Sequence, residues 1–286
     1  MKILVTGAAG MVGRTLCDLC RSAGDTVLPF DHSALDISNA DGVLTTIAET
    51  NPDAVINCAA WTDVDACEAD AERAFAANAR GPENLAVGCS RNNSVFVTIS
   101  TDYVFDGTKK GFYIETDEPN PISVYGRSKL EGECLVQQAF RGAIVVRSGF
   151  IFGRGGKNFL STVHERIRDN GKIKAIADAY GTPTYAKDLA ARLYELVRLK
   201  RPGVYHVANS GDGGSYEEFV SEVVRITRCS KVEVERVASD SLNRPAPRPH
   251  NSRLRSLYLE SVGLLPLPDW RDSLAEFIRE RSDAGE

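Results

Sequence analysis

No hydrophobic stretch of this chain approaches the roughly 20 residues that a membrane-spanning helix needs, so no transmembrane role is expected. A signal peptide is not expected either, because the opening run Ile3-Leu4-Val5 is broken at once by Gly7. Basic residues are not in excess. Lys and Arg total 34 against 39 Asp and Glu, a net charge of -5 over 286 residues. That balance argues against a general nucleic-acid binder, although a local arginine cluster can still hold a small anion. The seven cysteines lack the even count of a disulfide framework. Cys17 and Cys20 form one C-x-x-C spacing with no second pair, inside an expected helix. With Cys58, Cys67, Cys89, Cys134 and Cys229 they read as small core residues of a protein in the reducing cytoplasm. No internal repeat and no low-complexity linker divides the chain.

What is present is a regular alternation. Short apolar runs at Lys2 to Thr6, Thr26 to Phe30, Ala54 to Cys58, Val95 to Ser100 and Ala143 to Arg147 read as strands. Between them, helices are expected at Arg14 to Ala23, Ala40 to Glu49, Ala69 to Ala79, Gly81 to Ser90 and Val124 to Phe140. Strands this apolar must be covered on both faces, which requires a parallel sheet with right-handed crossovers. The expected fold class is α/β, a Rossmann-like doubly wound parallel sheet with a smaller C-terminal α/β substrate lobe. Residues 1–150 would form the nucleotide-binding domain and 151–286 mainly the substrate lobe, with the segment 176–208 returning to the first domain. In the second half, helices are expected at Asn158 to Asn170, Asp188 to Leu199, Tyr216 to Thr227 and Asp269 to Glu280. Strands are expected at Gly203 to Ala208 and Val232 to Val237, and a loop with Pro245, Pro247 and Pro249 at Ser241 to His250.

The first strand runs into Gly7-Ala-Ala-Gly10-Met11-Val12-Gly13 and then a helix. Glycine allows the tight turn, the close approach of a pyrophosphate and the packing of helix on strand. The helix N-terminus offers free N–H groups and partial positive charge. Asp31, ending the second strand, stands where a carboxylate bonds a ribose 2′-hydroxyl. It would favour NADH. His32 and Ser33 beside it are placed to hold a 2′-phosphate instead, so NADH and NADPH both stay open.

Tyr125 and Lys129 are four residues apart, on one face of the expected helix. A nearby ammonium lowers a phenol pKa, which ordinarily lies near ~10, so this pair is suited to donating a proton. Thr101 lies 24 residues before Tyr125, at the C-terminal end of an apolar strand, where open α/β sheets bind ligands. Its hydroxyl can polarise a carbonyl. Thr101, Tyr125 and Lys129 are therefore the candidate catalytic triad.

The G-x-x-G-x-x-G spacing resembles the extended short-chain dehydrogenase/reductases. More specific segments are Val55 to Ala60, Thr62 to Asp65, Ser100 to Gly107, Tyr125 to Glu133, Tyr180 to Thr184, Arg248 to Leu254 and Leu267 to Arg271. Together they resemble the dTDP-4-dehydrorhamnose reductase family over nearly the whole chain. The resemblance implies NAD(P)H as cofactor and a dTDP-sugar as substrate. It assigns Gly7, Gly10, Met11, Val12, Gly13, Asp31, His32, Asp36, Ile37, Cys58, Ala59, Ala60, Thr62, Tyr125 and Lys129 to the cofactor. It assigns Thr62, Val64, Thr101, Asp102, Tyr125, Phe150, Arg248 and Arg253 to the substrate. A homodimer is compatible with it, and membrane and nucleic-acid partners are not expected.

Two positions depart from the family. Phe150 stands where relatives often carry tryptophan, which keeps an aromatic face but loses the indole donor. Thr15 stands where some relatives carry a glutamate of a magnesium site between subunits, so no metal is expected. Tyr103 follows Asp102 where a dehydratase would carry glutamate, which weighs against dehydration. A reductase or epimerase of another deoxysugar nucleotide remains an alternative. So does a non-catalytic regulatory subunit resembling the methionine adenosyltransferase β subunit.

Overall fold

The structure, a computed structural model, describes residues 1–229 and 232–283. The last three residues of the expected second lobe, and positions 230–231 within it, lie outside the described residues.

The first half builds a sheet and its two covering layers. In chain order come β1 (Lys2–Thr6), α1 (Met11–Ser22), β2 (Thr26–Phe30), α2 (Ala40–Thr50) and β3 (Ala54–Asn57). Then follow α3 (Val64–Ala69), α4 (Ala71–Phe75), a π-helical turn (Ala76–Arg80), α5 (Gly81–Asn92), β4 (Val95–Thr101), α6 (Val124–Ala139) and β5 (Ile144–Ser148). The second half adds β6 (Ile151–Phe152), α7 (Phe159–Asn170), β7 (Lys172–Ile176), β8 (Tyr180–Gly181), β9 (Thr184–Tyr185), α8 (Ala186–Leu199) and β10 (Gly203–His206). It ends with β11 (Gly214–Ser215), α9 (Tyr216–Thr227), β12 (Glu233–Val237) and α10 (Trp270–Asp283).

Six strands form one parallel sheet in the order β2-β1-β3-β4-β5-β10. Alternation within each strand feeds both faces. Ile3, Val5, Ile56, Val97, Ile144 and Val146 face a layer made by Leu16 and Cys17 of α1 and by Leu189 and Leu193 of α8. Leu4, Val55, Phe96 and Val145 face the other layer, made by Ile47 of α2, Leu85 of α5 and Val136 of α6. Each such buried side chain contributes about 1.5–3 kcal/mol, which explains why the strands contain so few polar residues. Cys17 and Cys20 are both free and buried in the first layer, and burial raises both thiols, Cys20 to about 12.

The chain leaves β1 towards β2 and returns to β3 on the other side of β1. Strand order reverses there, and a crevice opens beyond the strand ends. A separate core lies under the second half, with Phe152, Phe219, Trp270 and Phe277 at its centre. The parallel pair β7–β12 covers it. Helix α8 and β10 belong to the first core instead.

One expected element is corrected. The helix read from Ala69 to Ala79 is broken into two helices and a π-turn, and helix begins earlier, at Val64. Asp70 leaves the helical conformation at φ -137° and its carboxylate accepts from Arg73 N, restarting the helix as a cap. Alanine content signals helix but not this restart. The two-residue strands β6, β8, β9 and β11, and β7, had no sequence signal strong enough to be read.

Candidate active site

The crevice at the strand ends is one continuous trough. Its two parts share Gly10, Cys58, Ala59 and Ala60. The first part is floored by the glycine loop. Gly7 adopts φ +63°, and a Cβ there would lie 2.6 Å from Ala59 N. At Gly13 a Cβ would lie 2.2 Å from Gly7 O. Helix α1 starts at Gly10 with no side-chain cap and no acidic residue in its first turn, so its N–H groups face the trough unopposed by a carboxylate. Asp31, His32, Asp36 and Ile37 line the outer end. The Asp31 carboxylate accepts from Ser33 N, Ser33 Oγ and Ala34 N at 2.7–3.0 Å, and the Ser33 hydroxyl leads in holding its pKa below the usual range. Asp36 is held in the same way by Ser38. This cradle fits a nicotinamide dinucleotide: a space no side chain could share, an open helix end for the pyrophosphate and a fixed carboxylate at the ribose position.

Thr101, Asp102, Tyr125 and Lys129 line the inner part, together with Met11, Val12, Thr62, Val64 and Phe150. Ser123 caps α6 by accepting from Gly126 N at 3.1 Å, which fixes Tyr125 in the first turn and Lys129 one turn on. Gly126 lets α6 approach the Thr101–Tyr103 turn, since a Cβ would lie 2.3 Å from Tyr103 O. Lys129 is buried and its Nζ donates to Ile99 O at 2.7 Å. Burial pulls its pKa down to about 8, and Glu133 opposes this. Burial pushes the Tyr125 phenol up, and the neighbouring Thr101 hydroxyl opposes that. Lys129, expected to lower the phenol, lines the same trough with its ammonium on Ile99 O.

Beyond Tyr125 the trough ends in aromatic rings. Phe150 is held at φ +49°, in the left-handed region, and its ring lies 4.6 Å from that of Tyr216. Phe159 meets Tyr216 edge-on at 5.8 Å, and Tyr103 meets Tyr125 edge-on at 6.0 Å. Phe159 and Tyr216 carry no sequence signal for the site, and Tyr103 is marked there only as standing where a dehydratase would carry glutamate. Ser215-x-x-Glu218 marks the start of α9 as a capping box, but nothing local tells that its first residue reaches the trough.

Neither arginine expected at the substrate is among the residues that line the trough, and the two have different partners. Arg248 forms a two-pronged pair with Asp65 at 2.6 and 2.7 Å, and its charge acts on Tyr103 and Tyr216. Arg253 lies away from the trough lining, with its guanidinium over the rings of Phe112 and Tyr180, each at 5.4 Å. Arg244, unread in the sequence, acts on the same two tyrosines as Arg248. Thr15 donates its hydroxyl to Met11 O at 2.9 Å within α1.

The family model described as RmlD substrate binding domain matches residues 1–282. A curated dTDP-4-dehydrorhamnose reductase of Mycolicibacterium smegmatis is 39% identical over 280 residues, covering 97% of this chain and 85% of the relative. A dTDP-4-dehydrorhamnose reductase structure from Clostridium acetobutylicum superposes with TM-score 0.94 at 38% identity, covering 99% of this chain and 100% of that one. A further one, from Bacillus anthracis in complex with NADP, gives TM-score 0.94 at 34% identity, covering 98% and 99%.

Proposed function

The chain belongs to the dTDP-4-dehydrorhamnose reductase family, and from that premise we propose that it reduces the C4 ketone of dTDP-4-dehydro-6-deoxy-L-mannose to give dTDP-L-rhamnose. The observation that carries this reading is the meeting of Thr101, Tyr125 and Lys129 in one trough with the glycine cradle. NAD(P)H, when bound, supplies the hydride. The chain's own residues orient the ketone and deliver the proton. Thr101 holds the ketone oxygen, Tyr125 gives it a proton, and Lys129 places a cation at the inner end of the cradle. Met11, Val12, Cys58, Ala59, Ala60 and Thr62 hold the cofactor. Val64, Asp102 and Phe150 contact the sugar, and Arg248 serves the diphosphate by exchanging its Asp65 partner for phosphate oxygens at its planar fork. The lobe built around Trp270 closes this end of the trough. Arg253 fits a role in shaping the loop better than direct contact, because its guanidinium is engaged by two rings and by Asn251.

NADH is the preferred donor in this reading. The Asp31 carboxylate is fixed by three donors at the ribose end and stays ionised at neutral pH, so it repels a 2′-phosphate. Ser33, the residue suited to bond that phosphate, already donates to Asp31.

The deciding assay is cofactor oxidation with the dehydrorhamnose nucleotide. Wild type turns over. Tyr125→Phe retains cofactor binding and loses about 100-fold or more in kcat, the usual scale of a general acid. No turnover by folded, cofactor-bound wild type overturns the reductase assignment. Full activity in Tyr125→Phe overturns the proton donor alone.

A further inference from the structure

We propose that the Ser148 hydroxyl is a further cofactor contact, which bonds the carboxamide of the nicotinamide ring and so orients the ring beside the ketone. The proposal rests on the reductase reading and adds a residue to it. Ser148 ends β5, lines the trough and is 2% exposed. In the parallel pairing of β4 with β5 it stands opposite Thr101. Two hydroxyl-bearing residues therefore sit side by side at the strand ends, and their states differ. The Thr101 hydroxyl donates to Asp102 Oδ1 at 3.0 Å and accepts from Tyr103 N at 3.1 Å. Asp102 is held in addition by Ser252, and Lys129 by Ile99 O. Ser148 Oγ is buried and has no hydrogen-bond partner among the described residues. A buried hydroxyl left without a partner costs stability. Alanine would fill the position without that cost, so the use of the hydroxyl lies with a ligand.

The fold decides which ligand. Alternate residues of a strand share a face. Ile144 and Val146 face α1 and α8, and Ser148 continues their row. Tyr125 and Lys129 come instead from α6, whose Val136 packs on the opposite face of the sheet. Ser148 thus stands on the side of the glycine loop and α1, with Met11 and Val12 in the same lining. A ketone bonded to Thr101 and Tyr125 lies between β4 and α6, away from Ser148. The cofactor comes from the glycine loop, on the side of Ser148. The carboxamide sits on the ring carbon next to the one that carries the hydride, so it must lie close to the strand ends when the ring serves the ketone.

The chemistry of the two groups matches. A carboxamide has an N–H donor and a carbonyl acceptor, and a serine hydroxyl can meet either. Ser148 Oγ is carried on one side-chain torsion, so a change of rotamer turns it from its closed position to the ring edge. A bond there resists rotation of the ring about its ribose link and keeps one face towards the ketone. Ser148 gives up no proton and is not oxidised or reduced.

Calorimetric titration of the cofactor-free protein tests the contact apart from activity. The probes are NADH and ADP-ribose, which keeps the adenine, riboses and diphosphate and lacks the nicotinamide. Ser148→Ala is expected to weaken NADH about five- to tenfold, the effect of one neutral hydrogen bond. ADP-ribose is expected to bind both proteins alike. The urea midpoint of the cofactor-free variant is expected not to fall, because the hydroxyl bonds nothing there. Unchanged NADH affinity in Ser148→Ala overturns the proposal. An equal loss for ADP-ribose, or a lowered midpoint, gives Ser148 a structural role and overturns it too. A raised KM for the sugar nucleotide with NADH affinity unmoved assigns the hydroxyl to the sugar and likewise overturns it. Selective loss of NADH affinity in a protein whose wild type shows no turnover overturns the reductase reading and leaves the carboxamide contact standing.

Discussion

At the scale of single residues, the trough depends on groups whose environment makes one chemical state available. Asp31 is the simplest case. Its charge is fixed in place by Ser33 and Ala34, so cofactor choice should follow that charge. Wild type is expected to show the higher kcat/KM with NADH. Asp31→Asn, which keeps the acceptor oxygen and removes the charge, is expected to raise kcat/KM with NADPH about tenfold, the effect of roughly 1.4 kcal/mol. A strong NADPH preference in wild type would instead mean that the His32 ring outweighs Asp31. Gly149 gives a second case. Gly149→Ala would place a methyl against a buried carboxyl with a helix turn behind it, so kcat should fall at least tenfold while cofactor binding, measured by fluorescence titration, persists. Some of this was legible in the sequence. Thr101, Tyr125, Lys129 and the three glycines could be read because strand end, helix spacing and phosphate turn each impose a residue type at a fixed offset. Tyr216 and Arg244 could not, because their roles depend on partners far off in the chain, which no local pattern records.

At the scale of elements, periodicity foretold the alternating strands and helices, since each strand needs apolar residues on both faces. It failed at the helical run between Val64 and Asn92. That run contains the break at Asp70, a local cap on Arg73 N, and the π-turn at Ala76–Arg80. The π-turn carries Asn78, which is 1% exposed. Its Oδ1 accepts from Trp61 N at 2.8 Å, and its Nδ2 donates to Trp61 O at 3.0 Å and to Ser128 Oγ at 3.1 Å. One side chain therefore ties the β3–α3 loop, which carries Thr62 and leads into Val64, to the helix of Tyr125 and Lys129. Gly132 completes the fit, because a Cβ there would lie 2.2 Å from Asn78 O. Asn78→Ala leaves the Trp61 groups without their partner, at about 1–3 kcal/mol. The urea midpoint is expected to fall accordingly, and KM for the sugar nucleotide to rise. An unchanged midpoint would show that water replaces the amide without loss.

At the scale of the whole molecule, the return of α8 and β10 to the first core decides how the two halves hold together. The sequence marked a returning segment, 176–208. Within it, α8 and β10 complete the sheet and its cover, whereas Tyr185 packs into the second core. His206 ends β10 and lies 1% exposed at this junction. Its backbone N donates to Glu115 at 2.9 Å, and its Nδ1 lies 3.2 Å from the carbonyls of Tyr113 and Arg255. Two acceptors there require an Nδ1–H, so a neutral ring must leave Nε2 without a proton. Burial pulls the ring pKa down to about 4, with Arg147 adding to the effect and Glu115 opposing it. The unfolded chain protonates this histidine near ~6.5, and the folded chain resists until about pH 4. Between those values the unfolded state binds more protons, so stability must fall as pH falls. The stabilisation is fully present above ~6.5 and is lost on descent towards 4. Replacing His206 with asparagine keeps a donor for one carbonyl and removes the titration. Urea unfolding of His206→Asn at pH 7.5, 5.5 and 4.5 should therefore lose less stability with acid than wild type, even if the variant starts lower. Equal losses in both proteins would place the acid sensitivity on carboxylates alone and remove His206 from the account.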